Sequence, residues 1–154
     1  MMRISSLLLF VSLLLSFGFV FASTVHVADA KGTVLVRQHD GETKTYRDVT
    51  VKIREQAMAL ISADGRGRIV LGKAGCTKVG ELLRCTAYDA TLDQYGRSRH
   101  IPLITGTVWL NPTNSKQQMT YSSQQLAPRG ILGSFETKRG TYVSLTGTVD
   151  EVEK

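Results

Sequence analysis

The sequence predicts an all-β protein, a single-domain sandwich or partly open barrel of about eight or nine short antiparallel strands preceded by a signal peptide. Apolar and polar residues alternate with a period of two through much of the chain. Turn residues recur about every 8–12 residues between these stretches. No segment carries an apolar stripe of helical period over three turns. The length of 154 residues is typical of one domain.

The N-terminus has the three-part layout of a secretory signal. Arg3 precedes an apolar run that ends at Ala22, a small residue suited to signal-peptidase cleavage. We expect cleavage after Ala22; an uncleaved anchor is the alternative, since the run is just long enough to span a bilayer. The predicted segments are a signal peptide at 1–22, a flexible tail at 23–31, the β domain at 32–150 and a charged tail at 151–154. An exported protein, periplasmic or extracellular, with no membrane span after cleavage, follows from this interpretation.

The strands are predicted from alternation and the boundaries from turn residues. Apolar residues at 49, 51 and 53, and at 143, 145 and 149, alternate with polar ones. Asp40-Gly41 and Asp64-Gly65 indicate tight hairpins, because glycine adopts positive φ at little cost. Residues 54–61 could alternatively form a helix. In chain order, the predicted strands cover 33–37, 44–53, 58–63, 68–72, 82–86, 101–110, 131–138 and 141–149.

A Gly-Thr-hydrophobic sequence recurs in the chain. Its glycines are Gly32, Gly106, Gly140 and Gly147, and their irregular spacing does not indicate an internal repeat. Glycine within a strand often marks a bulge or a bend. We therefore expect each copy to start or bend a strand.

Cys76 and Cys85 are the two cysteines of the chain. In an exported protein, pairing is the default. The ten residues from Cys76 to Cys85 suit a bridge across a hairpin, whereas eight intervening residues do not match the usual spacing of zinc ligands. The sequence predicts a structural disulfide.

One long polar segment, 111–125, interrupts the alternation. Loops of this length in compact domains are often functional. Amides and hydroxyls bind neutral polar ligands such as sugars, and aromatic rings can add a stacking face. The alternative is a surface loop with a short irregular strand. The candidate ligand-binding residues are Trp109, Gln117, Gln118, Tyr121 and Gln124.

The net charge of +6 indicates attraction to anionic partners or a merely solubilising surface. An aromatic RNA-binding motif is absent from the sequence, and export argues against nucleic acid as the physiological ligand. The candidate basic surface comprises Lys52, Arg54, Arg66, Arg68, Arg97 and Arg99.

Catalytic chemistry has little support in the sequence. His26, His39 and His100 match no metal-binding spacing, and neither a G-x-S-x-G elbow nor a P-loop is present. We predict no cofactor, metal or catalytic residue. The expected function is that of a non-catalytic binding or structural module of the cell envelope or exterior, with an envelope polymer or another envelope protein as partner. The alternatives are a β-scaffold hydrolase using His100 and an assembly subunit that pairs through a strand edge.

Overall fold

The computed structural model describes residues 27–38, 40–117 and 119–153. The regular secondary structure of these residues consists of strands, and they contain no helix long and apolar enough to cross a membrane. The predicted signal peptide lies outside the described residues. The strands are β1 (Val27–Arg37), β2 (Thr43–Arg54), β3 (Ala57–Ile61), β4 (Gly67–Gly72), β5 (Gly75–Val79), β6 (Leu82–Gln94), β7 (Arg97–Leu110), β8 (Thr120–Tyr121), β9 (Gln124–Gln125), β10 (Gly130–Thr137) and β11 (Gly140–Glu153).

Eight of the described strands form a closed antiparallel barrel. The order β4-β3-β2-β1-β11-β10-β7-β6 follows the chain apart from three inserted strands, and pairing of β4 with β6 completes the ring. The all-β prediction is confirmed. The prediction of a sandwich or a partly open barrel was wrong, because residues 67–72 pair with residues 89–94 and join the two ends of the sheet. Closure removes most of the strand edges that would otherwise invite aggregation.

The barrel includes residues that the sequence assigned to loose termini. β1 begins at Val27 and pairs with β11, which continues to Glu153. The predicted tail boundaries were therefore wrong at residues 27–31 and 151–153. Ala28 and Ala30 supply the buried positions there, and alanine gives only a weak apolar signal. The helical alternative for 54–61 was also wrong, because β3 buries Met58 and Leu60 inside the barrel.

Turns joining the strands alternate between the two ends of the barrel. The turns β1–β2, β3–β4, β6–β7 and β10–β11 surround one end, which we call the barrel mouth. Each contains or adjoins a glycine with positive φ, which confirms the two turns predicted from Asp-Gly. The connections β2–β3 and β4–β5 and residues 111–129 lie at the other end, the base. The mouth glycines are Gly41, Gly65, Gly96 and Gly140.

β5 lies outside the ring and is joined to it by the disulfide. It pairs with the first part of β6, whereas β4 pairs with the second part along the same edge. Cys76 is directly opposite Cys85, with a Cα–Cα distance of 4.0 Å, and the two sulfurs are bonded. The predicted hairpin disulfide is confirmed, and it is compatible with export.

Candidate binding site at the barrel mouth

The polar segment predicted as a recognition loop lies at the base and folds back against the outer wall of the barrel. Met119 and Tyr121 pack there against an apolar group that includes Trp109, which we call the outer cluster. Burial raises the pKa of Tyr121, although hydrogen bonds with Thr107 and Ser134 oppose this. The buried members of the cluster are Leu82, Leu126 and Leu132. Trp109 and Tyr121 therefore contribute to packing within the chain.

The other candidate residues of this segment are dispersed. The Gln117 side-chain oxygen accepts a hydrogen bond from the backbone N–H of Glu81 at 3.4 Å. Gln124 is exposed on β9, and Gln118 lies outside the described residues. The Arg84 guanidinium stacks over Trp109 at 5.8 Å from the ring centroid. Trp109, Gln117, Tyr121 and Gln124 are absent from the lining of the two cavities described below.

A cavity of about 320 Å³ occupies the interior of the barrel at the mouth, and we call it the mouth cavity. Its inner wall is apolar. Nearer the base, β2, β3 and β4 each have a fully buried residue that does not line the cavity. These residues are Val51, Met58 and Leu71, each at most 1% exposed. The barrel is therefore filled at the base and hollow at the mouth. The apolar wall comprises Val34, Val36, Val49, Leu60, Ile69 and Leu92.

Strand irregularities accompany this widening. Bulges shift the register of β1 against β2, β10 against β11 and β6 against β7, and a bulge bends the strand that carries it. β10 pairs with β7 between Thr105 and Leu110, so the first half of β7 separates from it. Tyr46 and Tyr142 pack at the edge of the core and stay only partly buried. The separation of β7 from β10 leaves an opening in the barrel wall beside the mouth.

A second cavity of about 610 Å³ adjoins the mouth, and we call it the side groove. It lies between the first half of β7 and the β10–β11 turn, where these strands have separated. No Asp or Glu is among the described residues that line it. The basic residues of the side groove are Arg37, Arg99, His100, Lys138 and Arg139. Four residues line both cavities: Arg37, Gln38, Arg99 and Tyr142.

The basic residues predicted from sequence separate into two groups. Arg68 and Arg99 line the mouth cavity, and Arg66 and Arg97 lie in or beside the turns around it. The others are remote: Lys52 is exposed on β2, and Arg54 forms a salt bridge of 3.0 Å with Asp29. The structure therefore brings part of the predicted basic surface to the mouth.

The charged residues that line the mouth cavity are three arginines and one aspartate, Asp40. The Asp40 carboxylate accepts the backbone N–H of Glu42 at 2.9 Å within its turn. In the described part of the chain, the salt bridges join Arg54 to Asp29 and His100 to Asp89, so neither Arg37 nor Arg68 has a carboxylate partner there.

Tyr142 connects the mouth cavity to the side groove. Burial raises the pKa of Tyr142, whereas a hydrogen bond and the charge of Arg99 oppose that rise. The hydroxyl therefore stays protonated at neutral pH beside a guanidinium, where it offers a hydrogen bond to a ligand.

His100 lies in the side groove, on the outer face of the β6–β7 hairpin. Its Nε2 is hydrogen-bonded to the Asp89 carboxylate, and the imidazole is 62% exposed. Ser98, two residues away on the same face, donates its hydroxyl to Asp93 instead. Within the described ranges there is no group of three or more His, Cys, Asp or Glu side chains placed to hold a metal ion. The hydrolase hypothesis remains a prediction.

Sequence reasoning missed Arg37, Tyr46 and Tyr142 as site residues. Each lies close to a predicted hairpin turn, at 40–41 or at 139–140. In an up-and-down barrel alternate turns converge at one end, so the residues beside them become neighbours. The barrel topology was therefore needed to predict that these three residues lie near one another.

Comparison of the chain with protein-family models, with curated proteins and with solved structures gave no significant match.

Proposed function

We propose that this chain is a non-catalytic binding protein of the cell envelope or exterior that holds one small, mainly apolar molecule in the mouth cavity. The observation that carries this proposal is the hollow mouth of a barrel that is otherwise filled. Eight-stranded barrels are just wide enough to be filled by side chains or to hold one small ligand. A cavity of about 320 Å³ is at the small end of the range for ligand pockets.

The composition of the mouth supports binding of an apolar molecule. Ligand pockets are lined mainly by hydrophobic side chains, with a few polar groups that set orientation. The mouth cavity matches this description, with six aliphatic residues on its wall and the tyrosines and arginines close to the turns. The signal-like N-terminus and the disulfide support placement outside the cytoplasm.

Filling the mouth cavity tests the proposal. Ile69 lines the cavity, and Val70, the next residue of β4, has the opposite orientation. Ile69→Trp should weaken binding of the neutral dye N-phenyl-1-naphthylamine by about tenfold or more, because the indole occupies the ligand volume. Val70→Trp, which adds the same ring on the outer face, should bind as the unmodified protein does. Dye fluorescence titration measures both.

Thermal unfolding of each variant shows whether the barrel is intact. If folded Ile69→Trp protein binds the dye as tightly as the unmodified protein, the ligand is not in the mouth cavity and the proposal is overturned.

A further inference from the structure

We infer that the molecule held in the mouth carries an anionic group, a carboxylate or a phosphate, bound where the mouth cavity meets the side groove. This inference rests on the proposed function and specifies the class of ligand. Arg37 and Arg99 line both cavities and thus lie at their junction.

Positive charge is concentrated around this junction. Arg68 of β4 is a third arginine among the residues around the mouth cavity, and Lys138 and Arg139 of the β10–β11 turn add two cations to the side groove. Asp40 supplies the carboxylate of the mouth cavity. Like charges gathered in a partly enclosed site repel each other more strongly than in bulk water, and a bound anion relieves that repulsion.

The side chains suit recognition of an oxyanion. Guanidinium groups bind carboxylate and phosphate oxygens in a bidentate manner, with two parallel hydrogen bonds. Arg99 and Tyr142 both line the two cavities, so the guanidinium and the tyrosine hydroxyl lie together at the junction. Arg37 has no carboxylate partner among the described residues, so its N–H groups remain available to a ligand.

The shapes of the two cavities complete the description of the ligand. The apolar wall of the mouth cavity accepts one short hydrocarbon segment, and the junction binds the charged group at its end. The side groove, about 610 Å³, leaves room for further polar substituents of a larger head group. A single-chain anionic amphiphile meets these requirements, and its charged group can belong to a soluble molecule or to a membrane lipid.

Calorimetric titration with four probes of equal chain length tests the inference. Decanoate and decyl phosphate should bind about tenfold or more tightly than decanol, and decyltrimethylammonium should bind weakest. Raising the salt concentration from about 0.05 to about 0.5 M should reduce the preference for the anions, because screening acts on charge and not on the chain.

Paired variants locate the charge. In Arg37→Gln/Arg99→Gln, the anions should bind no more tightly than decanol. Lys52→Gln/Lys78→Gln removes the same net charge at exposed positions outside both cavities and should keep the preference. Unchanged anion binding in the arginine double variant would overturn the inference.

Further outcomes separate this inference from the proposed function. If decanol binds as tightly as decanoate, the anionic class is wrong and the apolar mouth site stands. If acetate and inorganic phosphate bind as tightly as decanoate and decyl phosphate, the hydrocarbon chain adds no affinity and the proposed apolar site is wrong. Vesicles of phosphatidylglycerol and of phosphatidylcholine identify the source of the charge. If the protein binds only phosphatidylglycerol vesicles, in an arginine-dependent manner, and binds no free amphiphile, the charged group belongs to a lipid. Binding of free decanoate assigns a soluble ligand.

Discussion

Gly147 and Gly32 show how single residues set the approach of two strands. They are opposite each other in the β1–β11 pair. A Cβ atom built on Gly147 would lie 2.1 Å from the backbone oxygen of Lys31 and 2.5 Å from the Cα of Gly32. Gly106 has a similar role, since its Cβ would lie 2.4 Å from the ring of the fully buried Phe135. The sequence predicted that these glycines start or bend strands, but it did not predict which residue packs closely against each of them.

Replacement of Gly147 tests the close approach. Gly147→Ala should lower the free energy of unfolding by about 1–3 kcal/mol, because the clashing atoms belong to the backbone and cannot move aside cheaply. Gly75→Ala is the matched control: a Cβ there meets nothing within 4 Å, so the change should stay within about 0.5 kcal/mol. Urea denaturation measures both. Equal stability of the two variants would contradict the packing described here.

Individual site residues were only partly predictable. Arg68 and Arg99 were assigned to a basic surface from their type and spacing, whereas Arg37 was read simply as the end of a strand. A side chain at the end of a strand joins a site only when turns from distant parts of the chain lie next to it in the fold. That convergence is a property of the closed barrel.

At the scale of elements, β5 and the segment 111–129 are additions to the ring. β5 is held by its pairing with β6 and by the disulfide between them. Arg129 holds the segment 111–129 at the base. Its guanidinium donates hydrogen bonds to the backbone oxygens of Pro112 and Asp150 at 3.0 and 2.9 Å. The polar composition of residues 111–125 predicted a loop, but it did not reveal that Tyr121 and Met119 would cover the outer wall.

Removing the disulfide should loosen β5 and leave the barrel closed. For Cys76→Ala/Cys85→Ala, the chain-entropy relation for a ten-residue loop gives a loss of up to about 2.7 kcal/mol of unfolding free energy. Hydrogen exchange should accelerate at residues 75–79 and remain slow in β4 and β10, because β5 is outside the ring. A uniform increase in exchange across all strands would show instead that the barrel depends on the bridge.

For the molecule as a whole, closure is the dominant feature. β4 pairs with β6, and this pairing closes the ring of eight hydrogen-bonded strands. Unpaired strand edges nevertheless remain among the described residues, including the outer edge of β5 and the first half of β7 on the side of β10. The hypothesis of assembly through a strand edge stays a prediction.

Alkaline pH should destabilise the whole fold through two partly buried tyrosines. Burial raises the pKa values of Tyr121 and Tyr142 above the ordinary value of 10.0. Above pH 10 the unfolded chain therefore loses these protons first, and the free energy of unfolding falls as pH rises. Tyr121→Phe/Tyr142→Phe should flatten this fall, measured by urea denaturation between pH 9 and pH 11. Tyr95→Phe, a change at a 75% exposed tyrosine, should retain the original slope, and an unflattened slope in the double variant would contradict the assignment.

The sequence by itself determined the all-β class, most strand positions, the two Asp-Gly turns of the mouth and the disulfide. These features depend on local rules: side-chain alternation along a strand, positive φ in tight turns and proximity of two cysteines across one hairpin. The tertiary structure decided that the sheet closes into a barrel, that its base is filled while its mouth is hollow, and that Arg37 and Arg99 lie at the junction of the two cavities. Those outcomes depend on pairings between residues far apart in the chain, such as 67–72 with 89–94, for which period-two alternation carries no information.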